Sequence, residues 1–150
     1  MANIEGFFGE YRWLSNFWLL QTPIVDRFDG VWLNYPSVEH AYQAEKTLSV
    51  SHRVRVMQAG TAADAKRAGR SVPLRADFDL IKDDVMLELV RQKFYYDSEL
   101  EEKLLATGEA GLYEVNSWGD TYWGCDTFLE GDNRLGKILM QVRSEIQDQN

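Results

Sequence analysis

Cysteine is almost missing from this chain: Cys125 stands alone, and only two histidines, His40 and His52, accompany it. One thiol excludes an internal disulfide, and so few soft ligands exclude a zinc-type cluster. Neither a metal nor a cofactor is expected. Proline is scarce too, with 3 in 150 residues, and no linker, repeat or charge block divides the sequence. A single domain over residues 1–150 is the expectation. No apolar run approaches the roughly 20 residues that cross a bilayer. The opening MANIEGFFGEYRW lacks the basic start and apolar middle of a secretion signal, so a cytoplasmic protein is expected. Basic charge is in deficit: 16 Lys and Arg against 24 Asp and Glu leave a net charge of −8. That balance repels polyphosphate at long range and argues against a broad electrostatic footprint on DNA. A nucleic acid would have to be held locally. The signatures GxGxxG, GxxxxGK[ST], GxSxG and HExxH are absent as well, which removes the familiar nucleotide and hydrolase motifs.

What is present suits a packed core, with 45% hydrophobic and 13% aromatic residues. The aromatic-rich stretch from Phe7 to Asn34 predicts a small β element, with Asp29-Gly30 as a tight turn between short strands. Pro36 and Ser37 open a helix running to about Leu48, with Ser37 as N-cap, and Ser51 and Thr61 suggest caps of two further short helices. Gly60 and Gly69 stand where helices stop. From Asp79 to about Tyr95, Leu80, Ile81, Val85, Met86, Leu89, Val90 and Phe94 form one apolar stripe of a central helix. Ser98 caps a helix ending near Gly108. Asn133 caps the last, whose Leu135, Ile138, Leu139, Val142 and Ile146 share a face. Between those two, a short strand at Leu112 to Val115 leads into a glycine- and tryptophan-rich loop. The reading is α+β, mostly helical, with a small β element.

Three constellations carry polar groups worth testing. In YPSVEHAYQAEKT, Glu39, Gln43 and Lys46 are four and three residues apart and share one helical face, while Val38, Ala41 and Ala44 allow close packing. The stripe lines a cavity, or else Glu39 is a first-turn acid favoured by the helix dipole and Lys46 a solvated cation. His40 lies off the stripe and reads as a structural histidine. In WGDTYWGCD, two Trp-Gly pairs, Trp118-Gly119 and Trp123-Gly124, with Asp120 between the tryptophans, combine flat π surfaces, flexible backbone and a carboxylate, which suits stacking on a base while its edge is read. The alternative is an aromatic loop closing the core. In EYRWLSNF, Arg12, Ser15 and Asn16 interrupt the aromatics Trp13 and Phe17, offering donors to a sugar or phosphate or simply capping a turn. AKRAGR, residues 65–70, either supplies phosphate ligands or is a wet helix face.

In order along the chain, GEYRWLSNF, YPSVEHAYQAEK, AKRAG, DDVM with VRQKF, TG with LYEVNSWGDTYWG, and GDNRLGKILMQVR resemble the NADAR (YbiA-like) family over nearly the whole length. The resemblance implies a compact, largely helical α+β fold and an N-glycosidase acting on a ribose attached to an amino-substituted, guanine-like ring. Two substrate classes come with it: guanine carrying ADP-ribose in nucleic acid, and the phosphoribosylamino-pyrimidines of early riboflavin synthesis. A chain without a fused biosynthetic partner fits the first, a repair or antidote role answering an ADP-ribosyltransferase toxin. A non-catalytic ADP-ribose or NAD binding module is the reading of another class. By position, the family's acid falls on Glu39, its lysine on Lys46 and its substrate-facing tryptophan on Trp123, beside Gly124 and Asp120. Asn16 and Asn133 belong to the same set. Phe78 stands where relatives often place a tryptophan, so a ring remains for stacking but the indole N–H is lost.

Overall fold

The structure, a computed structural model, describes residues 2–150. The chain divides into two compact units. One joins the N-terminal segment up to Ser15 with Phe94–Asn150; the other is Asn16–Lys93. The fold is α+β and mostly helical, its strands confined to two two-stranded sheets.

In the second unit, β2 (Ile24–Phe28) and β3 (Val31–Tyr35) form an antiparallel hairpin. Asp29 (φ 50°) and Gly30 (φ 76°) turn it. Positive φ at both positions is what a two-residue turn between right-twisted strands requires, so the expected turn is there. Helix α1 (Val38–Glu45) follows, and the Ser37 side chain accepts from the His40 amide as foreseen. It stops sooner than expected, with Lys46 at its C-cap, because the next carbonyls turn outward: Lys46 accepts from the Arg75 amide and Thr47 from Arg53 Nε.

Helix α2 (Val50–Met57) is capped by Ser49, not Ser51. Ser49 is the extended residue before the first turn; its Oγ accepts from the His52 amide and lies 2.7 Å from His52 Nδ1. Thr61 caps α3 (Ala62–Gly69) by accepting from the Asp64 amide, as expected. Helix α4 spans Phe78–Tyr95 and buries Met86, Leu89, Val90 and Phe94. Leu80, expected on that stripe, is 85% exposed: it lies two residues on from buried Phe78 and so is turned away from the packed face.

Lys93 is buried on α4, and burial pushes its ammonium down to about 7 from the usual 10.5. The folded chain therefore releases a proton that the unfolded chain keeps between about pH 7 and 10.5, so this group makes folding more favourable as pH rises through that window. We expect Lys93→Met to raise the thermal midpoint below pH 7 and to flatten its rise above, in melts recorded across that range.

In the first unit, β1 (Ile4–Glu5) pairs in parallel with β4 (Leu112–Tyr113). Gly9–Leu14, read from sequence only as irregular, is a 3₁₀ segment kinked at Tyr11. Helix α5 (Ser98–Ala106) is capped by Asp97, one residue before the expected Ser98, because Asp97 Oδ1 accepts from the Leu100 amide. Helix α6 (Arg134–Gln149) buries Leu135, Ile138, Leu139, Val142 and Ile146, the face read from the sequence. No helix among the described residues is long and apolar enough to cross a membrane.

Candidate active site

The polar stripe of α1 is real and buried. Glu39 and Gln43 are 7% and 4% exposed, and Gln43 Nε2 donates to Glu39 Oε1 at 2.8 Å. Val38, Ala41 and Ala44 are fully buried, so small side chains let α1 sit close to its neighbours while carrying a carboxylate inward. The start of the helix is tied down by the LSNF segment: the Glu39 amide donates to the Asn16 carbonyl at 3.0 Å, and Asn16 Nδ2 reaches Met86 Sδ at 3.4 Å. Asn16 thus positions Glu39 through the backbone. Phe17 beside it is 43% exposed.

Lys46 keeps helical backbone angles at the C-cap and so stays on the stripe, with Nζ 5.6 Å from the Tyr42 ring centroid. Burial holds its ammonium below the usual 10.5, and Lys66, Arg70 and Lys82 push in the same direction, while Glu39 works against them. Three further cationic side chains, from the α3 and α4 segments, thus act on Lys46, against one buried carboxylate. Two of them, Lys66 and Arg70, come from the AKRAGR stretch. Phe78 is buried, its ring 5.4 Å from Tyr42 and tilted by 60°, which makes it a packing partner of the residue under Lys46 in this conformation.

His40 is satisfied at both ring nitrogens, Nδ1 against Ser37 Oγ at 2.7 Å and Nε2 against the Ala59 carbonyl at 3.0 Å. It is structural, as its position off the stripe implied. Gly69 is the place where α3 must lack a side chain: a Cβ there would strike the Gln43 carboxamide. We expect Gly69→Ala to displace Gln43, release Glu39 and lower kcat by roughly ten- to a hundredfold. Assay well below a thermal midpoint measured in parallel separates this from overpacking, which costs about 1–3 kcal/mol.

The first unit carries the remaining candidates. Trp13 is buried, donates its indole N–H to the Glu10 carbonyl and meets Phe94 edge-on at 6.3 Å, a packing role; Arg12 nearby is exposed and Ser15 half-buried. Asp120 organises its loop: Oδ1 accepts from the amides of Tyr122 and Trp123 at 3.1 and 3.0 Å, which leaves Oδ2 as the oxygen able to accept from a ligand. Half-buried Trp123 stacks on Tyr122 at 4.8 Å and 2°, and the Arg134 guanidinium lies 4.4 Å from the Tyr122 centroid. Sequence reasoning missed Tyr122 and Arg134. The signal for Tyr122 was present in its adjacency to Trp123, but Arg134 is twelve residues on.

The carbonyls of Tyr122, Trp123 and Gly124 accept from the amides of Arg134, Leu135 and Asn133, so the loop itself satisfies the first turn of α6. Gly124 is required by close approach, since a Cβ there would meet the Glu114 carbonyl and Asn116. Asn133 stands at the N-cap of α6 as expected, but not in the expected way. It is left-handed (φ 49°) and makes no side-chain cap bond. Its carboxamide accepts from the Glu114 N–H at 3.0 Å and donates to the Leu112 carbonyl at 2.9 Å, clamping strand to helix.

A family model described as the NADAR domain matches residues 6–147. N-glycosidase YbiA of Escherichia coli (strain K12) is 38% identical over 114 residues, covering 75% of this chain and 71% of that protein. Riboflavin biosynthesis protein VVA0006 of Vibrio vulnificus (strain YJ016) is 41% identical over 116 residues, covering 76% of this chain but 31% of its own length. The NMR structure of E. coli YbiA superposes with a TM-score of 0.78 at 33% identity, covering 99% of this chain and 85% of the other.

Proposed function

The chain belongs to the NADAR family, and on that premise we propose that it is an N-glycosidase cleaving the ribose C1′–N bond of an amino-substituted, guanine-like base, with ADP-ribosylated guanine in nucleic acid as substrate. The observation that carries this reading is the α1 stripe: a buried carboxylate, Glu39, beside an amine, Lys46, whose proton affinity burial has reduced.

The chemistry asks for both groups. When the exocyclic nitrogen pushes its lone pair toward C1′, the C1′–O4′ bond opens and O4′ takes a proton, leaving an iminium carbon. Lys46, in its neutral form, adds to that carbon; the base departs as its amine with a proton relayed by Glu39; and water then hydrolyses the lysine Schiff base, restoring the amine. The Glu39 carboxylate also faces the positive charge that develops on the sugar carbon. Lys66, Arg70 and Lys82 around Lys46 suit a diphosphate better than a single phosphate, which favours ADP-ribose as the sugar-side group. Asn16 positions the carboxylate within the second unit. An ADP-ribosyltransferase that modifies DNA is the partner activity such an enzyme would answer.

The second reading keeps the chemistry and changes the substrate to phosphoribosylamino-pyrimidines, and the similarity to a riboflavin biosynthesis protein favours it. The covalent step is tested by adding borohydride during turnover of DNA bearing ADP-ribose on guanine. Mass spectrometry is expected to find ADP-ribose reduced onto Lys46 and no adduct in Lys46→Met. Turnover with no adduct, or with the adduct on another lysine, overturns the role given to Lys46.

A further inference from the structure

The β2–β3 hairpin of the second unit has a face that packs and a face in solvent. Strand alternation buries Ile24, Leu33 and Tyr35 and sends Val25, Arg27, Trp32 and Asn34 outward. The register sets Arg27 opposite Trp32 and Val25 opposite Asn34, so the outward side chains form one contiguous patch. Trp32 is 62% exposed, and the Arg27 guanidinium lies 5.3 Å from its ring centroid. Among the described residues Arg27 makes no ion pair and the Asn34 side chain makes no hydrogen bond; only the Asn34 backbone is engaged, its amide donating to Met57 Sδ.

A single exposed ring on a protein surface needs no explanation. A ring, a cation and a carboxamide held side by side, with the cation and the carboxamide spared by the fold, match the parts of a nucleotide. The indole stacks on a base, the guanidinium meets a phosphate, and the carboxamide pairs with a base edge or a sugar hydroxyl. An apolar protein partner would find only Val25 beside the tryptophan.

The nucleic acid that suits this face is single-stranded. A base offers its flat side only when it is unstacked, and a net charge of −8 leaves little for the many phosphate contacts by which a duplex is gripped. Asp26 is committed to Arg53, whereas Asp29 at the turn repels phosphate and so directs the strand from Trp32 past Asn34 toward α1. Glu39 follows Trp32 by seven residues, no more than about 25 Å of chain, which a few nucleotides span. We propose that this face docks single-stranded nucleic acid, Trp32 stacking on a base a few nucleotides from the modified guanine and Arg27 neutralising a phosphate. The modified guanine rests on the glycosidase reading; the docking itself rests on the hairpin alone.

The test titrates the full-length protein into a labelled, unmodified oligothymidylate of about ten nucleotides, read by fluorescence anisotropy. Turnover is measured separately on ADP-ribosylated single-stranded DNA and on ADP-ribosylguanosine. Trp32→Ala is expected to weaken oligonucleotide binding about tenfold and to raise KM for the DNA by the same factor with kcat unchanged. Trp32→Phe keeps a ring and is expected to recover most of the binding, and Arg27→Gln to flatten the salt dependence of log affinity by about 0.7. Both side chains are exposed, so each variant is expected to melt with the parent and to cleave the nucleoside as the parent does. Full oligonucleotide affinity in Trp32→Ala, or a duplex bound as tightly as the single strand, overturns the proposal. So does an equal loss of turnover on the nucleoside, or a parent dimer in sedimentation that Trp32→Ala dissociates. Oligonucleotide binding lost in Trp32→Ala, with neither substrate cleaved by the parent, upholds the docking face and removes the glycosidase reading instead.

Discussion

Glu39→Gln is expected to lower turnover by about a thousandfold while leaving the protein folded. The amide oxygen of glutamine accepts the same hydrogen bond from Gln43 Nε2 that Glu39 Oε1 accepts now, so the buried contact survives. What disappears is the negative charge. Without it the developing charge on C1′ loses its counterpart and the departing amine loses its proton relay. A second consequence follows at Lys46, because Glu39 is the group that holds its proton affinity up. In the variant that ammonium falls further below 10.5, so a pH profile of any residual activity shifts to lower pH. Thermal melts and near-ultraviolet circular dichroism check the fold. A Glu39→Gln variant that keeps both its fold and its turnover contradicts the mechanism.

Arg53→Leu is expected to cost the second unit about 3 kcal/mol, lowering the thermal midpoint by roughly 6 to 12 °C. Arg53 is 1% exposed, donates through Nε to the Thr47 carbonyl at 2.8 Å, pairs with Glu45 and Asp26, and lies 3.6 Å from the Phe28 ring centroid. One side chain thus joins the hairpin, the end of α1 and the first turns of α2. Its loss leaves Glu45 partly buried without a counter-charge, which is the larger part of the penalty. Adding Asp26→Asn and Glu45→Gln to Arg53→Leu is expected to recover much of the stability in urea titrations. Arg53→Lys is expected to fail, since an ammonium cannot reproduce the planar fork.

Local chemistry was legible in the sequence and long-range pairing was not. Ser37, Thr61 and Asp29-Gly30 act through atoms two or three residues away, so their roles follow from short spacings. The α6 face follows from period alone. Ser49 and Asp97 displaced the expected caps by one or two residues because competing side chains stood within a single turn. The β1–β4 pair joins strands of two residues each, Ile4–Glu5 and Leu112–Tyr113, far apart in the sequence and too short for any alternation to register. Asn133 holds the expected N-cap position, but its left-handed backbone and its side-chain bonds to Glu114 and Leu112 depend on a strand about twenty residues earlier.

The site divides in the same way. Glu39, Gln43 and Lys46 were legible as one stripe because a helix puts them there. That the stripe is buried, and that Lys66, Arg70 and Lys82 stand near Lys46, required the packing of α3 and α4 around α1. Asp120 was legible as a polar group in an aromatic loop, but its hold on the Tyr122 and Trp123 amides is a property of the folded turn.

The central claim is that this chain cleaves a ribosyl C1′–N bond through the α1 stripe. Its most direct test offers the purified protein DNA carrying ADP-ribose on guanine and, separately, a phosphoribosylamino-pyrimidine, with Glu39→Gln alongside. The account predicts release of ADP-ribose and unmodified guanine in the DNA, faster than ribose 5-phosphate from the pyrimidine and lost in the variant. Release from the pyrimidine alone would move the enzyme to riboflavin precursors. ADP-ribose bound tightly with no release from either substrate would contradict the claim and make the protein a binding module.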